Sequence, residues 1–159
     1  MEIRAATLDD VPAWLELARQ GDQVVGGMGN LDTFYEGFEP YMTDKIRQEE
    51  NFIAEDPVNG VCLGIVAISE RRNSISFLAM ASGEDGLAAG GRLVEAALNA
   101  LDNSRDITVN VLRSGAPVIQ REKELYERFG FVEQPEEVME NGAPARVMKL
   151  AAFGGLDGP

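Results

Sequence analysis

The hydrophobic and polar positions change period several times along the chain, and each change predicts a new element. Apolar residues at helical spacing in segments 8–20, 31–50, 87–101 and 118–130 predict amphipathic helices. Alternating or continuous apolar runs bounded by turn-forming residues predict strands. These runs are EIRAAT, NFIAED, VCLGIVAIS, SISFLAMA, DITVNVL, FVEQPEEVM and RVMKL.

The predicted element order is β-α-α-β-β-β-α-β-α-β-β. Three consecutive strands with short turns favour an antiparallel meander, and a single crossover helix then favours one parallel strand pair. We therefore predict an α/β (α+β layer) protein, with a mixed, mostly antiparallel central sheet of about seven strands flanked by about four helices.

Glycine and proline predict how the segments are joined. The glycine-rich stretch 21–30 is predicted to be a mobile connection. Segment 31–50 is expected to form one or two helical pieces, with a break near Pro40. The pattern shows no internal repeat or domain boundary, so we expect a single domain over residues 1–152. The last residues, 153–159, offer little that could order them and are expected to form a flexible tail.

Charge excludes one class of partner. The 159 residues include 27 acidic and 14 basic side chains, which gives a net charge of −13. Nucleic acid is not expected to bind, because a phosphate backbone requires a basic face. An acidic surface suits a cationic small molecule, although such charge also serves solubility alone, and both readings stay open. The apolar runs are too short to cross a membrane, and we expect a cytoplasmic location.

The counts of cysteine and histidine narrow the chemistry further. Cys62 is the only cysteine and stands within an apolar run, which favours a buried structural thiol over a nucleophile. The sequence contains no histidine. This excludes Ser-His and Cys-His nucleophile pairs and most zinc sites, and we predict no metal.

One run joins a glycine-bearing polar stretch to a helix, namely SGEDGLAAGGRLVEAAL over residues 82–98. Small residues allow a backbone to approach a ligand closely, and the unpaired amides at a helix start bind anions without needing a lysine. The alternative is a helix start whose small residues only pack closely. Neither the Walker pattern nor the dinucleotide Gly-x-Gly-x-x-Gly pattern is present.

The same run resembles the acyl-CoA loop of the GNAT superfamily of N-acetyltransferases, where a strand end leads into Arg/Gln-x-x-Gly-x-Gly/Ala and then a helix. FLAMASGED followed by GLAAGGRLVEAAL falls into that register, with Asp85, Ala88 and Gly90 at the three signature positions. Gly90 agrees, whereas Asp85 replaces Arg or Gln and Ala88 replaces Gly. LYERFGF at 125–131 is similar to the family's late Tyr-x-x-x-Gly-Phe motif. The resemblance spans nearly the whole chain.

The resemblance implies where acetyl-CoA would bind. Backbone groups of the strand end would pair with the pantetheine arm, and amides of about residues 86–91 would hold the pyrophosphate. The cofactor-binding residues it implies are Leu78, Ala79, Met80, Asp85, Gly86, Leu87, Ala88, Ala89, Gly90, Gly91 and Arg92.

The resemblance also implies that Tyr126 is the general acid that protonates the departing thiolate, whereas spacing alone fits a core aromatic. The general base stays open. Segment 30–50 would lie over the acceptor side and carries several acidic residues, among which Glu36 stands beside three aromatic residues and is a candidate for the base or for amine binding. Ile119 occupies the position where the family often has asparagine, and Ser114 is a candidate substitute.

The sequence features and the family resemblance lead to three hypotheses for the function. The first is an N-acetyltransferase that moves acetyl from acetyl-CoA to a primary amine, either a small cationic amine or a protein amine, by direct attack in a ternary complex. The second is a degenerate GNAT domain that binds acyl-CoA or a protein partner without catalysis, as Asp85, Ala88 and Ile119 suggest. The third is an interaction module whose sheet edge pairs with a second copy, giving a homodimer.

Overall fold

The computed structural model describes residues 1–24, 31–140 and 143–152, without the side chains of residues 20–24 and 31–38. The helices are α1 (Val11–Val24), α2 (Leu31–Arg47), α3 (Gly83–Ala100) and α4 (Pro117–Arg128), and a 3-10 turn over Leu8–Asp10 precedes α1. The strands are β1 (Glu2–Arg4), β2 (Asn51–Glu55), β3 (Cys62–Ser69), β4 (Ser74–Met80), β5 (Ile107–Leu112), β6 (Val132–Glu140) and β7 (Ala143–Leu150).

The strands form one seven-stranded sheet in the order β1-β2-β3-β4-β5-β7-β6. Every neighbouring pair is antiparallel except β4 and β5, which are parallel and connected through α3. This confirms the predicted mixed sheet, the meander and the single parallel pair. The parallel pair divides the sheet between its first four and its last three strands.

Helices cover both faces of the sheet, and each face has its own hydrophobic core. On one face, α3 and α4 pack over β2 to β5 and β7, with Leu93, Val94 and Tyr126 fully buried. On the other face, α1 and α2 pack over β2 to β4 around Trp14 and Met42. Each helix therefore buries one apolar stripe, as its sequence period predicts.

The first two helices differ from the sequence prediction in extent. Helix α1 continues to Val24, so the predicted mobile connection begins four residues too early. Its remaining residues, 25–30, lie outside the described part of the chain, as does the predicted tail 153–159. Helix α2 is a single piece with Pro40 inside it. Because a helix can absorb one missing amide bond when tertiary packing holds it, a proline alone does not fix a break.

Helix α3 begins at Gly83, directly after Ser82, so the predicted glycine-bearing loop is instead the first turns of the helix. Its buried stripe runs through Gly86, Gly90 and Leu93, whereas Leu87 is only half-buried. The small residues bring the helix close to the sheet. A Cβ on Gly86 would lie 1.6 Å from the carbonyl oxygen of Ala81. Gly86 and Gly90 therefore serve close packing, whereas a Cβ on Gly91 would meet no atom within 4 Å.

Buried Asn73 ties the parallel strands together at one end. Its side-chain amide donates to the carbonyl oxygens of Asp102 at 2.8 Å and Asp106 at 3.1 Å, and its oxygen accepts from the Asp102 amide at 2.8 Å. These bonds connect the residue before β4 to the segment that leads into β5. The start of β4 is thus fixed to the start of β5 while their far ends are left unconstrained by this link.

Helix α4 ends at Arg128 and is closed by Gly130, within the predicted segment 118–130. Gly130 has φ +97°, a left-handed conformation that costs glycine little. The amide of Phe131 donates to the carbonyl oxygen of Tyr126 at 3.1 Å, which closes the last turn in a Schellman arrangement. Leu125 and Tyr126 face the core, as the spacing of Tyr126 predicts, and Phe129 is half-buried.

Candidate active site

A crevice opens in the sheet where β4 and β5 diverge. The two strands pair only at Ser74 with Thr108 and at Ile75 with Val109. Strand β4 continues to Met80, paired on its other side with β3, and β5 continues to Leu112. The backbone of β4 after Ile75 therefore has an edge on the β5 side without a register partner, and that edge can bond a ligand in the manner of an added strand.

The start of α3 lies at the wide end of this crevice. Ser82 is extended, and Gly83 takes φ +83°, so the chain turns sharply from β4 into the helix. A helix start leaves the amides of its first turn without intrahelical partners, and here these belong to Gly83, Glu84 and Asp85. Glu84 and Asp85 are exposed acidic side chains that also stabilise the positive end of the helix dipole.

The early start of α3 changes the expected pyrophosphate seat. Residues 87–91 lie within helical turns, where amides bond to carbonyls four residues earlier. Of the residues expected at the seat, Gly86, Ala89 and Gly90 are buried against the core, and Ala88 is exposed. Arg92 donates to the carbonyl oxygen of Met1 at 3.0 Å, which directs it toward β1. The free amides are those of residues 83–85 instead.

Arg121 on α4 supplies a positive charge at the crevice that sequence analysis did not single out. Its Nη2 donates to the carbonyl oxygen of Ala81 at 2.9 Å, and its Nη1 donates to that of Gly83 at 3.3 Å. Its Nε is buried without a hydrogen-bond partner among the described residues. The guanidinium therefore bridges α4 to the turn between β4 and α3, beside the free amides. Nothing in its sequence spacing marks this contact.

Tyr126 is fully buried, and its hydroxyl group bonds to Glu122 one turn earlier on α4, at 3.2 Å from Oη to Oε1. The tyrosine ring also packs at a tilted angle on Phe131, with 5.5 Å between ring centroids. Burial and the neighbouring Glu122 carboxylate raise the pKa of Tyr126 well above its usual value near 10. Burial raises the pKa of Glu122 to about 7, although part of its side chain still meets solvent. Sequence analysis missed Glu122.

The acidic acceptor side predicted on segment 30–50 is only partly described. The side chain of Glu36 lies outside the described residues, together with its aromatic neighbours at 34, 35 and 38. Glu39 and Asp44 are exposed. Glu50 is buried and structural, because it pairs with Lys45 at 3.3 Å and accepts the amide of Glu70 at 2.6 Å.

Two further sequence candidates have local structural roles. The hydroxyl group of Ser114 accepts the amide of Ala116 at 3.1 Å, which shapes the turn into α4. Ile119 is buried in the core under that helix. Burial raises the pKa of the Cys62 thiol to about 11, so this thiol stays protonated at neutral pH and is a poor nucleophile.

An open cleft of about 500 Å³ lies on the side of α4 that faces β6 and β7. Its walls include three basic side chains, Arg113, Lys123 and Arg146, along with Ser114 and Glu133. Lys123 pairs with Glu133 at 3.5 Å. Because Lys123 and Arg121 project to opposite sides of α4, this cleft is separate from the crevice between β4 and β5.

No membrane span and no metal cluster are found in the described part of the chain. None of the described helices is long and apolar enough to cross a membrane. Among the described residues, no three histidine, cysteine, aspartate or glutamate side chains are grouped as metal ligands would be.

Solved structures with the same fold are numerous at low sequence identity. An N-acetyltransferase from Staphylococcus aureus Mu50 aligns with a TM-score of 0.69 and 12% identity, over 94% of this chain and 100% of that one. PaiA N-acetyltransferase from Thermoplasma acidophilum, in complex with coenzyme A, gives 0.69 and 15%, over 94% and 98%. Spermidine N-acetyltransferase SpeG from Vibrio cholerae gives 0.62 and 18%, over 99% and 98%.

The family assignment rests on a sequence match. No curated protein matches this chain significantly. The model of the Acetyltransferase (GNAT) domain family matches residues 18–152, which is most of the chain. The fold, the element order and this match agree, and the chain belongs to the GNAT acetyltransferase family.

Proposed function

We propose that the protein transfers acetyl from acetyl-CoA to a primary amine, by direct attack of the amine in a ternary complex. The observation that carries this proposal is the crevice itself: β4 diverges from β5 after Ile75, and the free helix start of α3 lies at its wide end. Two solved structures with this fold, the PaiA enzyme and Rv2747 from Mycobacterium tuberculosis, are complexes with CoA.

Acetyl-CoA would use groups on both sides of the crevice. The unpaired edge of β4 at Leu78, Ala79 and Met80 offers backbone donors and acceptors to the pantetheine arm, in the manner of strand addition. The amides of residues 83–85 offer donors to the pyrophosphate at the positive end of the α3 dipole. The Arg121 guanidinium adds the charge that Asp85 cannot provide.

The chemical step joins the amine nitrogen to the acetyl carbonyl carbon and breaks the bond between that carbon and the CoA sulfur. The amine loses one proton, and the departing thiolate gains one. We assign the second proton to Tyr126. Direct attack fits the described residues, since the Cys62 thiol, with its pKa raised to about 11, is poorly suited to carry the acetyl group.

The acceptor class follows from charge. A net charge of −13 attracts cationic amines, and Glu36 remains our candidate for the base or for amine binding. Solved structures with this fold include a spermidine N-acetyltransferase and a ribosomal-protein-alanine N-acetyltransferase from Brucella melitensis. A polyamine and a peptide with an N-terminal alanine are therefore the first acceptors to test.

One feature favours the alternative, a domain that binds acyl-CoA without turnover. Glu84 and Asp85 place two exposed carboxylates on the first turn of α3, where the pyrophosphate would sit. Their negative charges would repel the pyrophosphate, which weakens binding of the cofactor.

Titration calorimetry with acetyl-CoA, followed by a thiol-release assay over a panel of amines, separates these functions. Binding together with thiol release in the presence of spermidine, the alanine peptide or another amine supports the acetyltransferase. Binding without release across the panel supports the alternative. If acetyl-CoA does not bind, both proposals are wrong.

Two substitutions test the cofactor site. Asp85→Arg is expected to tighten acetyl-CoA binding several-fold, because it exchanges a repulsive charge for an attractive one. Arg121→Ala is expected to weaken binding about tenfold, the usual scale for losing one charge-assisted hydrogen bond. Dissociation constants from calorimetry check both.

Arg128→Ala is the matched control, since Arg128 is an exposed arginine at the end of the same helix. It should leave the dissociation constant unchanged. Weaker binding in Asp85→Arg, or equal effects of the two arginine substitutions, would contradict the proposed cofactor site.

A further inference from the structure

Glu122 occupies a position on α4 where the helix otherwise buries apolar side chains. Ile119 lies three residues before it, and Leu125 and Tyr126 lie three and four residues after it, so all four share one face. These three neighbours are buried in the core over β5. A carboxyl group in the middle of such a face requires a partner or a proton, because an unpaired buried charge is costly.

Among the described residues, the Glu122 side chain has one hydrogen-bond partner, the Tyr126 hydroxyl group, which donates to Glu122 Oε1 at 3.2 Å. The two neighbouring cations on α4, Arg121 and Lys123, bond to other groups and not to Glu122. Arg121 bonds to the carbonyl oxygens of Ala81 and Gly83, and Lys123 pairs with Glu133. The buried positions of α3 and β5 that pack against α4 are all apolar residues or glycine. The charges that neighbouring strands bring to α4 are Glu133 of β6, which pairs with Lys123, and Arg146 of β7, which lines the same cleft as Lys123.

The bond between Tyr126 and Glu122 is directed toward the N-terminal half of α4. A helical side chain leans toward the N-terminus of its helix, and the bond from Tyr126 back to Glu122 has this direction. The N-terminus of α4 follows the end of β5, beyond the point where β4 and β5 have diverged. The neighbouring Arg121 contacts the turn between β4 and α3, so this half of α4 lies beside the wide end of the crevice.

We infer that Glu122 supplies the proton that Tyr126 delivers. As the bond from carbon to sulfur breaks, the phenolic proton of Tyr126 moves to the thiolate, and the carboxylic proton of Glu122 moves to the tyrosine oxygen. The products are the free thiol of CoA, a neutral tyrosine and a Glu122 carboxylate, which takes up a proton from solvent before the next cycle. Glu122 does not touch the thioester and acts through Tyr126.

This inference rests on the proposed acetyltransferase function, and it resolves a difficulty with a buried tyrosine acid. A phenol that gives up its proton alone becomes a buried phenolate, and burial opposes that charged state. A second proton from Glu122 avoids it. Burial raises the pKa of Glu122 to about 7, so the carboxyl group holds a proton over a useful part of the physiological range.

The inference fixes the sign of a pH effect. Only the protonated form of Glu122 can pass a proton on, so its contribution is complete below pH 7 and disappears as the pH rises above 7. The reactive, deprotonated form of the acceptor amine increases as the pH rises, and this increase obscures the loss of the Glu122 contribution in the wild-type pH profile. The ratio of variant to wild-type turnover removes the amine, because both proteins meet the same acceptor at each pH.

The test compares Glu122→Gln, Tyr126→Phe, the double variant and Glu124→Gln, using acetyl-CoA and an amine turned over by the wild type. Glutamine keeps the hydrogen bond to Tyr126 but cannot pass on a proton. We expect Glu122→Gln to lose about tenfold in kcat at pH 6 and to approach wild type at pH 8.5. Tyr126→Phe should lose about 100-fold at pH 6 and about tenfold at pH 8.5, because the wild type itself lacks the Glu122 contribution at the higher pH. The double variant should be no slower than Tyr126→Phe. Exposed Glu124 is the matched control and should have no effect.

Glu122→Asp keeps a titratable carboxyl group and should restore part of the rate at pH 6, which separates proton supply from packing. A Glu122→Gln ratio that is constant with pH, or a double variant slower than either single variant by the product of their effects, would overturn the inference. If the wild type binds acetyl-CoA but releases no thiol with any amine, the proposed function fails together with the inference. If the wild type turns over and Glu122→Gln has the same kcat at every pH, the inference is wrong while the proposed function stands.

Discussion

Replacing Gly86 by alanine is expected to lower the free energy of unfolding by about 3–5 kcal/mol, the upper range for a single substitution in a packed interior. The new Cβ would lie 1.6 Å from the carbonyl oxygen of Ala81 and 2.4 Å from its carbonyl carbon. These are backbone atoms and cannot rotate away. The start of α3 would have to move from the end of β4, which also displaces the amides proposed for CoA.

Gly91→Ala is the matched control on the same helix. A Cβ at Gly91 meets no atom within 4 Å, and alanine favours a helix over glycine by about 1 kcal/mol. Urea unfolding of both variants should therefore give opposite signs. If both variants lose the same free energy of unfolding, the stability of residues 82–98 depends on the flexibility of glycine and not on close packing at Gly86.

Replacing Glu122 by glutamine is expected to stabilise the protein by about 3 kcal/mol at pH 8 and by little at pH 4.5. The pKa of this carboxyl group is raised from 4.5 to about 7 in the folded state. Between these values the folded protein holds a proton that the unfolded chain has lost, so wild-type stability falls as the pH rises. A rise of this size in pKa corresponds to about 3 kcal/mol, and glutamine does not titrate.

Urea denaturation at half-unit steps from pH 4.5 to pH 8.5 measures this difference. It should grow up to pH 7 and then stay constant. Glu124→Gln, at an exposed position on the same helix, should give no such trend. A stability difference for Glu122→Gln that is independent of pH would show that the carboxyl group is ionised in both states. This measurement needs no acceptor and is independent of the turnover test.

The sequence was sufficient wherever local chemistry decides structure. The change from a period of two to a helical period located the strands, the meander and all four helices, and the stop at Gly130 follows from the left-handed conformation that glycine adopts easily. It was insufficient at Pro40, where α2 continues through a predicted break. Helix ends depend on tertiary packing as well as on the residues themselves.

The proposed site follows from the sequence only in outline. The resemblance predicts roles for Tyr126 and for the turn between β4 and α3, and these roles stay predictions. The structure adds that α3 begins at Gly83, so the free amides lie at 83–85 and not over 86–91. Glu122 did carry a signal, since a charged residue interrupts the apolar stripe formed by Ile119, Leu125 and Tyr126. Arg121 carried none, because its partners are main-chain oxygens about forty residues away in sequence.

Hydrophobic period and turn residues by themselves determined the order of the elements and the mixed sheet, since each depends on which neighbours along the chain share a face. Only the tertiary structure decided that the small residues after β4 pack against Ala81 and Met80, with the free amides one turn earlier. It also decided that Glu122 has Tyr126 as its hydrogen-bonding partner in an apolar surrounding. The close packing at the start of α3 and the surroundings of Glu122 depend on contact distances and on the exclusion of solvent. Both arise only when segments that are distant in sequence pack together.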